Sequence, residues 1–270
     1  MRNKNIQSVP DVSFVIPCYN EEDIVSYTIE RLHAAFSSAG YKLELVVVDN
    51  GSSDRTGQIV RRLARRNPSI IHHRVEVNKG YGWGILSGIP LCNAPWIGMI
   101  PADGQVDAED VVRLYQAVIA TDGNVVGKVR RRFRMDGLYR KLVSTAYNVF
   151  IRTLWPRLGS IDVNGSPKLL PAAVLREMEL QSKGWLLDPE LMIKAHHMGL
   201  RVMEFNVFSR MRGNGVSHVS TTTCWEFLTH LLYFRFSNEW RRNFRKIADK
   251  HNVLEKPAAP KVERRRALQQ

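Results

Sequence analysis

Polar side chains that could bind a metal ion or a phosphate follow three apolar runs of the sequence. Asp103 and Gln105 come directly after the apolar run of residues 96–100, Asn20 follows the first apolar run, and Asp49 ends the second. Carboxylate and amide oxygens are the ligands that Mg²⁺ and Mn²⁺ prefer. Taken singly, each residue also has a structural explanation, because Asp-Gly is a common turn dipeptide and Asn and Asp commonly cap helices.

The elements that must position these residues alternate between strand and helix. Apolar runs bounded by turn residues predict strands at residues 11–17, 41–49, 70–77, 96–100 and 124–128, with helices at 21–38, 55–67, about 84–93 and 106–121. Asn20 and Asp54 are predicted as the caps of the first two helices. This alternation predicts an α/β fold whose mostly parallel sheet is covered on both faces. The three polar sets then meet at one sheet edge, where α/β proteins bind ligands, and three independent turns explain them poorly.

The second half of the chain is less regular. We predict helices at residues 142–154 and 188–198, a polar loop at 162–168, a strand at 201–207 and two final helices at 223–236 and 239–247. The resulting division has a flexible N-terminus at 1–10, a domain at 11–218, amphipathic interfacial helices at 219–248 and a disordered basic tail at 249–270. The first of the final helices is rich in aromatic residues and the second is cationic. This pattern favours an interfacial helix pair on an anionic membrane, with packing on the domain or in a dimer as the alternative.

Composition narrows the function classes. The 270 residues carry a formal net charge of +13, which predicts attraction to nucleic acid, an anionic membrane or phosphorylated substrates. The three cysteines show no C-x-x-C spacing, which argues against a disulfide framework or a zinc site. No G-x-x-x-x-G-K-[ST], G-x-G-x-x-G or G-x-S-x-G motif occurs. The polar N-terminus and the lack of an 18-residue apolar run predict neither a signal peptide nor a transmembrane helix.

Four segments, taken in order, resemble a known enzyme family. The chain reads Val-Ile-Pro-Cys-Tyr-Asn-Glu-Glu over residues 15–22, Val-Val-Asp-Asn-Gly-Ser-Ser-Asp-Arg-Thr over 47–56, Lys-Gly-Tyr-Gly over 79–82 and Ala-Asp-Gly-Gln over 102–105. This series resembles inverting family 2 glycosyltransferases of the GT-A (nucleotide-diphospho-sugar transferase) fold, and most of all the dolichol-phosphate and polyprenyl-phosphate sugar transferases. The resemblance extends over residues 12–218, with looser agreement at 162–166, 188–190 and 212–218.

The resemblance implies a role for each matching residue on the donor side. The pocket for a nucleotide-diphosphate sugar would be lined by Pro17, Tyr19, Glu21, Asp49, Asn50, Gly80 and Asp103. Asp103 and Gln105 match the second acid and the glutamine of the family's Asp-x-Asp-x-Gln, and they would hold Mg²⁺ or Mn²⁺ on the diphosphate. Pro101 stands at the position of the first acid. The implied catalytic residues are Asp103 and Arg212.

The acceptor decides whether a general base is needed. A polyprenyl phosphate is already an anion, so it can attack without a base but needs cations to bind it. The resemblance implies Arg140, Lys168, Arg212 and His218 as those cations, with His218 at a position where lysine is common. It also implies a peripheral enzyme at the cytoplasmic, inner face of a membrane, with no nucleic-acid partner. The alternatives are a soluble saccharide or natural-product acceptor, with Glu190 as candidate base, and, more distantly, a basic nucleic-acid-binding module.

Overall fold

A seven-stranded mixed sheet forms the centre of the computed structural model, which describes residues 9–134, 138–209 and 221–255. Its strand order is β3-β2-β1-β4-β6-β5-β7, and β6 alone runs antiparallel to its neighbours. The strands are β1 (Val12–Cys18), β2 (Leu43–Asn50), β3 (Ile70–Val75), β4 (Trp96–Met99), β5 (Val125–Arg134), β6 (Lys168–Pro171) and β7 (Arg201–Ser209).

Helices cover both faces of this sheet. They are α1 (Val25–Ser38), α2 (Thr56–Arg66), α3 (Tyr81–Gly88, followed by a 3₁₀ turn at Ile89–Leu91), α4 (Ala108–Ile119), α5 (Leu138–Leu154), α6 (Ala172–Glu177), α7 (Leu187–His197), α8 (Thr221–Phe236) and α9 (Asn238–Glu255). Successive residues of a strand point to opposite faces. Phe14 and Ile16 of β1 therefore pack with α1 and α4, whereas Val15 packs with α3 and α7. The predicted α/β class with a mostly parallel sheet is confirmed.

The structure differs from the sequence-based prediction in several places. Asn20 does not cap the first helix, which begins at Val25; Asn20 instead adopts a positive φ of 55° in the preceding loop. The short strand β6 and helix α6 were not predicted, because four residues at the end of a polar loop carry too little periodicity. The disordered tail was predicted from residue 249, yet α9 continues to Glu255. His251 explains the difference, since its ring is buried on the domain, 3.1 Å from a carboxylate oxygen of Glu177.

Candidate active site

The carboxyl ends of β1, β2 and β4 lie side by side at one edge of the sheet, as the sequence predicts. In the strand register, Cys18 of β1 pairs with Asp49 of β2, and β4 pairs with β1 up to Met99. Because β6 is antiparallel to β4, its first residue, Lys168, lies opposite Met99 at this same edge. The edge thus brings together side chains from four strands, and we call it the donor edge.

Hydrogen bonds tie the loop after β1 to the loop after β2. The Asn20 side-chain oxygen accepts the Ser53 N–H at 2.9 Å, and the Glu21 N–H donates to the Thr56 hydroxyl at 2.8 Å. Asn20 is therefore not a helix cap, because its side-chain oxygen bonds the loop after β2 instead. These hydrogen bonds also fix the backbone on either side of Tyr19, whose side chain is 45% exposed. The two loops form one rigid wall of the donor edge.

Asp49 is fully buried at the end of β2 and is engaged through both carboxylate oxygens. One oxygen lies 2.6 Å from an Arg74 guanidinium nitrogen, and the other accepts the Ser52 N–H at 3.0 Å. A Cβ on Gly57 would lie 2.2 Å from Asp49, so that glycine makes room for the ion pair. Sequence reasoning predicted Asp49 but missed Arg74. The β2–β3 register, which pairs these two residues directly, is the signal that would have found it.

Asn50 orders the glycine-rich loop between β3 and α3. Its side-chain amide donates to the Asn78 side-chain oxygen at 3.2 Å and to the Gly80 carbonyl at 3.0 Å. Gly80 also donates its own N–H to Asn78 at 2.8 Å and has a φ of 104°. A Cβ at Gly80 would lie 2.8 Å from the Lys183 carbonyl. The glycine is therefore required by the approach of a neighbouring loop, a constraint independent of any ligand.

The loop after β4 presents Asp103 at the donor edge. The Thr28 hydroxyl of α1 donates to the Ala102 carbonyl at 2.8 Å, and Asp103 accepts the Gln105 N–H at 3.2 Å. Gly104 has a φ of 63° and packs against α1. Asp103 is half-buried, whereas Gln105 is only 8% exposed. The turn that Asp-Gly favours and the predicted ligand position are therefore the same structure.

The donor set at Asp103 fits a hard cation in type. Within residues 9–134, 138–209 and 221–255, no group of three or more His, Cys, Asp and Glu side chains converges as a metal cage. Mg²⁺ usually keeps several waters and binds through one or two carboxylates plus substrate phosphates. A single carboxylate, that of Asp103, matches that pattern, and Pro101 at the position of the first acid is compatible with it.

Lys168, a predicted acceptor-phosphate residue, forms part of the wall of the site. Its side chain is fully buried, and its Nζ lies 2.5 Å from the Asp188 carboxylate at the start of α7. The hydroxyl of Tyr81 hydrogen-bonds Ser166 nearby, and burial, together with the charge of Asp188, raises the pKa of that hydroxyl. In the structure, the charge of Lys168 is therefore balanced within the protein.

Two cations of β5, Lys128 and Arg131, are also paired internally. Arg131 binds both oxygens of Asp162 at 3.0 Å. Burial alone would raise the pKa of Asp162, but Arg131 and Lys128 hold it well below its usual range. Lys128 is fully buried, contacts the Asp162 carbonyl and lies 3.0 Å from Glu204. Burial and the neighbouring Lys168 lower the pKa of Lys128 to about 8.

Several predicted acceptor-side residues are not described. Arg212 and His218 lie in residues 210–220, outside the described residues. The backbone of Arg140 lies in α5, but its side chain is outside the described part of the structure. Their predicted roles in binding the acceptor phosphate therefore stay predictions.

Glu190, the candidate base for a soluble acceptor, is enclosed by protein. It is fully buried, lies 2.6 Å from the ammonium of Lys194, and accepts the backbone N–H groups of Gln181 and Ser182 at 3.0 and 2.7 Å. Lys194 also donates to the Glu179 carbonyl at 2.9 Å. These contacts make Glu190 the anchor of the loop between α6 and α7 and leave no route for an acceptor hydroxyl to reach it.

The C-terminal helices pack on the domain through one face of α8. Leu231 and Phe234 are buried with residues of α9, whereas Leu232, Tyr233 and Phe236 are exposed. The packing alternative is therefore correct for one face, while the other face, which carries Leu232, Tyr233 and Phe236, is open to solvent within the described part of the chain. Within the described part of the chain, no helix combines the length and the apolarity that crossing a membrane requires.

Comparison with known proteins agrees with this geometry. The model of a family described as Glycosyl transferase family 2 matches residues 13–177. Undecaprenyl-phosphate 4-deoxy-4-formamido-L-arabinose transferases from Pectobacterium carotovorum and Edwardsiella ictaluri are each 36% identical, over 149 and 151 residues. These matches cover 54% and 55% of this chain and 45% of each relative. The chain therefore spans less than half the length of the curated relatives it matches.

Solved structures share the fold at low sequence identity. Glucosyl-3-phosphoglycerate synthase from Mycobacterium tuberculosis, in complex with Mn²⁺, UDP and phosphoglyceric acid, superposes with a TM-score of 0.65 at 19% identity, covering 84% of this chain and 78% of that one. A mannosyltransferase from Pyrobaculum calidifontis, in complex with GDP-Man and Mn²⁺, gives a TM-score of 0.55 at 16% identity, covering 94% and 78%. The predicted GT-A architecture is thereby confirmed.

Proposed function

The chain belongs to glycosyl transferase family 2, and we propose that it transfers a sugar from a nucleotide-diphosphate donor to a polyprenyl phosphate. The observation that carries this choice of acceptor is that four carboxylates around the donor edge are paired with cations. Asp49, Asp162, Asp188 and Glu190 each bind an arginine or a lysine. A hydroxyl acceptor needs a carboxylate as general base, whereas a phosphate acceptor does not. The pairing of these carboxylates therefore favours a phosphate acceptor over a hydroxyl acceptor.

On the donor side, the loops after β1 and β2 would hold the nucleotide, and Asp103 would face the diphosphate. Tyr19, Glu21 and the Asp49–Arg74 pair form the nucleotide end of this proposed pocket. Asp103, with Gln105 beside it, would hold Mg²⁺ or Mn²⁺. The bound cation would offset the negative charge that grows on the leaving diphosphate.

On the acceptor side, an oxygen of the lipid phosphate would attack the anomeric carbon from the face opposite the leaving group. The new C–O bond forms as the bond to the diphosphate breaks, so the configuration inverts and no proton needs to be removed. Arg140, Arg212 and His218 remain our proposed contacts to the acceptor phosphate, while Lys168, paired with Asp188, forms part of the wall of the site. Neutralising that phosphate reduces its repulsion from the donor diphosphate.

The acceptor is a membrane lipid, so we also propose that the open face of α8 rests on an anionic bilayer. Leu232, Tyr233 and Phe236 would enter the interface, and the exposed cations of α9 would face the lipid headgroups. We propose accordingly that the enzyme acts as a peripheral protein at the cytoplasmic face of the membrane. The undecaprenyl-phosphate acceptor in the names of the curated relatives supports the same arrangement.

A turnover assay tests this proposal. Purified protein is given UDP- and GDP-sugars with Mn²⁺, in vesicles that contain undecaprenyl phosphate, and the released nucleoside diphosphate is measured. We expect lipid-dependent release that Asp103→Asn lowers by about 100-fold or more, as the loss of one electrostatic contact to the transition state does elsewhere. The matched control is Asp122→Asn, because Asp122 is 66% exposed and pairs with Arg201 at the opposite end of β7.

Two outcomes would contradict the proposal. Full turnover by Asp103→Asn would remove Asp103 from the mechanism. Equal release of nucleoside diphosphate with soluble saccharides and without lipid would favour a soluble acceptor instead. A base other than the buried Glu190 would then be needed. EDTA should abolish turnover if the cation is required, and Mn²⁺ should restore it.

A further inference from the structure

Trp185 is a large aromatic residue that the fold leaves half-exposed beside the donor edge. Its indole ring stacks on the ring of Tyr81, with centroids 5.3 Å apart and planes inclined by 11°. At the same time, 49% of its surface remains accessible. Tyr81 begins α3 directly after the glycine-rich loop. Tyr81 thus supports one side of the indole, and much apolar surface is left for a ligand.

The hydroxyl of Tyr81 connects this ring pair to the reacting end of the site. It hydrogen-bonds Ser166, and the charges of Asp188 and Asp103 act on it. Ser166 in turn donates to the carbonyl of Met99, the last residue of β4, at 3.1 Å. The ring pair therefore neighbours the Asp103 loop, where the sugar end of a bound donor would lie.

The loop that carries Trp185 is held from two sides. Glu190 binds its Gln181 and Ser182 N–H groups from below. The carbonyls of Lys183 and Gly184 in this loop accept the N–H groups of Trp83 and Gly82 in α3, at 2.7 and 3.2 Å. Because these hydrogen bonds already order the loop, a ligand that contacts Trp185 loses little binding free energy to ordering it.

We propose that Trp185 is the platform against which the sugar ring of the donor packs, with Tyr81 as its support. This inference rests on the proposed function. The C–H groups on one face of a sugar ring pack well on an indole, while its hydroxyl groups need polar partners at the edges. A sugar whose hydroxyl projects from the packed face would fit poorly, so the platform would also select among donor sugars.

Binding measurements with Trp185→Ala and Trp185→Phe test the platform. Titrations compare a panel of UDP- and GDP-linked hexoses and pentoses with UDP and GDP alone, each with Mn²⁺. We expect Trp185→Ala to weaken the best nucleotide sugar about tenfold while UDP or GDP changes by less than about twofold. Trp185→Phe should keep most of the affinity, because phenylalanine still offers an apolar ring face to the sugar. The control is Tyr27→Ala, which removes an exposed aromatic residue on α1.

The outcomes separate this inference from the function beneath it. Equal weakening of the nucleotide sugar and the nucleoside diphosphate would overturn it, because the ring would then serve the base or the loop. Unchanged sugar affinity in a Trp185→Ala protein with the wild-type melting temperature would overturn it as well. If the wild type turns over a donor but Trp185→Ala is equally active and selective, only the platform fails. If the wild type binds no nucleotide sugar, the proposed function fails with it.

Discussion

Replacing Glu190 by glutamine distinguishes an anchor of the α6–α7 loop from a general base. Glutamine keeps the size of the side chain and one oxygen that can accept a backbone N–H, but it removes the charge that balances Lys194. Both side chains are fully buried, and their charged atoms lie 2.6 Å apart. Removing one partner of a buried ion pair typically costs about 3–5 kcal/mol of folding free energy.

Two features of the surroundings place the expected loss toward the lower end of that range. Lys194 retains the Glu179 carbonyl at 2.9 Å, and its ammonium lies 5.5 Å from the centre of the Trp240 ring. Burial already lowers the pKa of Lys194, and Glu190 opposes that effect. Without Glu190 the lysine can release its proton, which limits the cost of an unpaired buried charge. We therefore expect a loss of about 3 kcal/mol.

Urea unfolding at pH 7, followed by circular dichroism, measures this loss. Combining Glu190→Gln with Lys194→Met removes both charges, so the double variant should lose clearly less stability than the sum of the two single variants. The control is Glu109→Gln, because the Glu109–Arg31 pair is exposed and should contribute no more than about 1 kcal/mol.

The same variants are assayed for turnover with the best donor. A loop anchor predicts a modest fall in turnover that follows the loss of stability. A Glu190→Gln protein with wild-type stability and a turnover reduced by about 1,000-fold or more would refute the reasoning and identify Glu190 as a base.

Two further predictions concern the membrane face and the buried lysine of β5. Leu232→Ser combined with Phe236→Ser should weaken sedimentation with phosphatidylglycerol vesicles by about tenfold or more, since each side chain would lose its apolar burial. The control is Phe208→Ser, which changes an exposed residue of β7. Equal vesicle binding by the double variant and the control variant would contradict the proposed membrane face. Lys128 has a folded pKa of about 8 against an ordinary value of 10.5, so above pH 8 the native state releases a proton that the unfolded state keeps. Wild-type stability should therefore rise relative to Lys128→Met between pH 8 and about 10.5 in urea unfolding, and a flat difference would show that burial does not lower this pKa.

Much of the donor edge could be predicted from the sequence because it depends on local patterns. The run of Leu45 to Val48 is buried on both faces, as an interior parallel strand requires, and it fixes the position of Asp49 at the strand end. The same logic places Asp103 after β4. The strands β1, β2 and β4 are joined through helices and run parallel, so their carboxyl ends and the polar residues there meet at one edge.

The acceptor side could not be predicted in this way. The antiparallel strand β6 is only four residues long, and it pairs with β4 and β5, whose paired residues lie about 40 to 75 positions away in the sequence. Lys168 looked like a free cation in the sequence because its partner, Asp188, lies twenty residues away on a different element. Glu190 looked like a candidate base because its burial by the α6–α7 loop leaves no trace in the local pattern.

The sequence by itself determined the fold class, and it predicted that Asp103 lies with Asp49 at the carboxyl edge of the sheet, where we propose that the ligand binds. Tertiary structure alone decided which charges are already satisfied, because the pairs Asp49–Arg74 and Arg131–Asp162 join residues 25 and 31 positions apart. Local periodicity records which side of a strand or helix is buried. It does not record which opposite charge the folded chain brings to that side. The ion pairs therefore had to be found in the tertiary structure, and they show which charged residues of the site have a structural role.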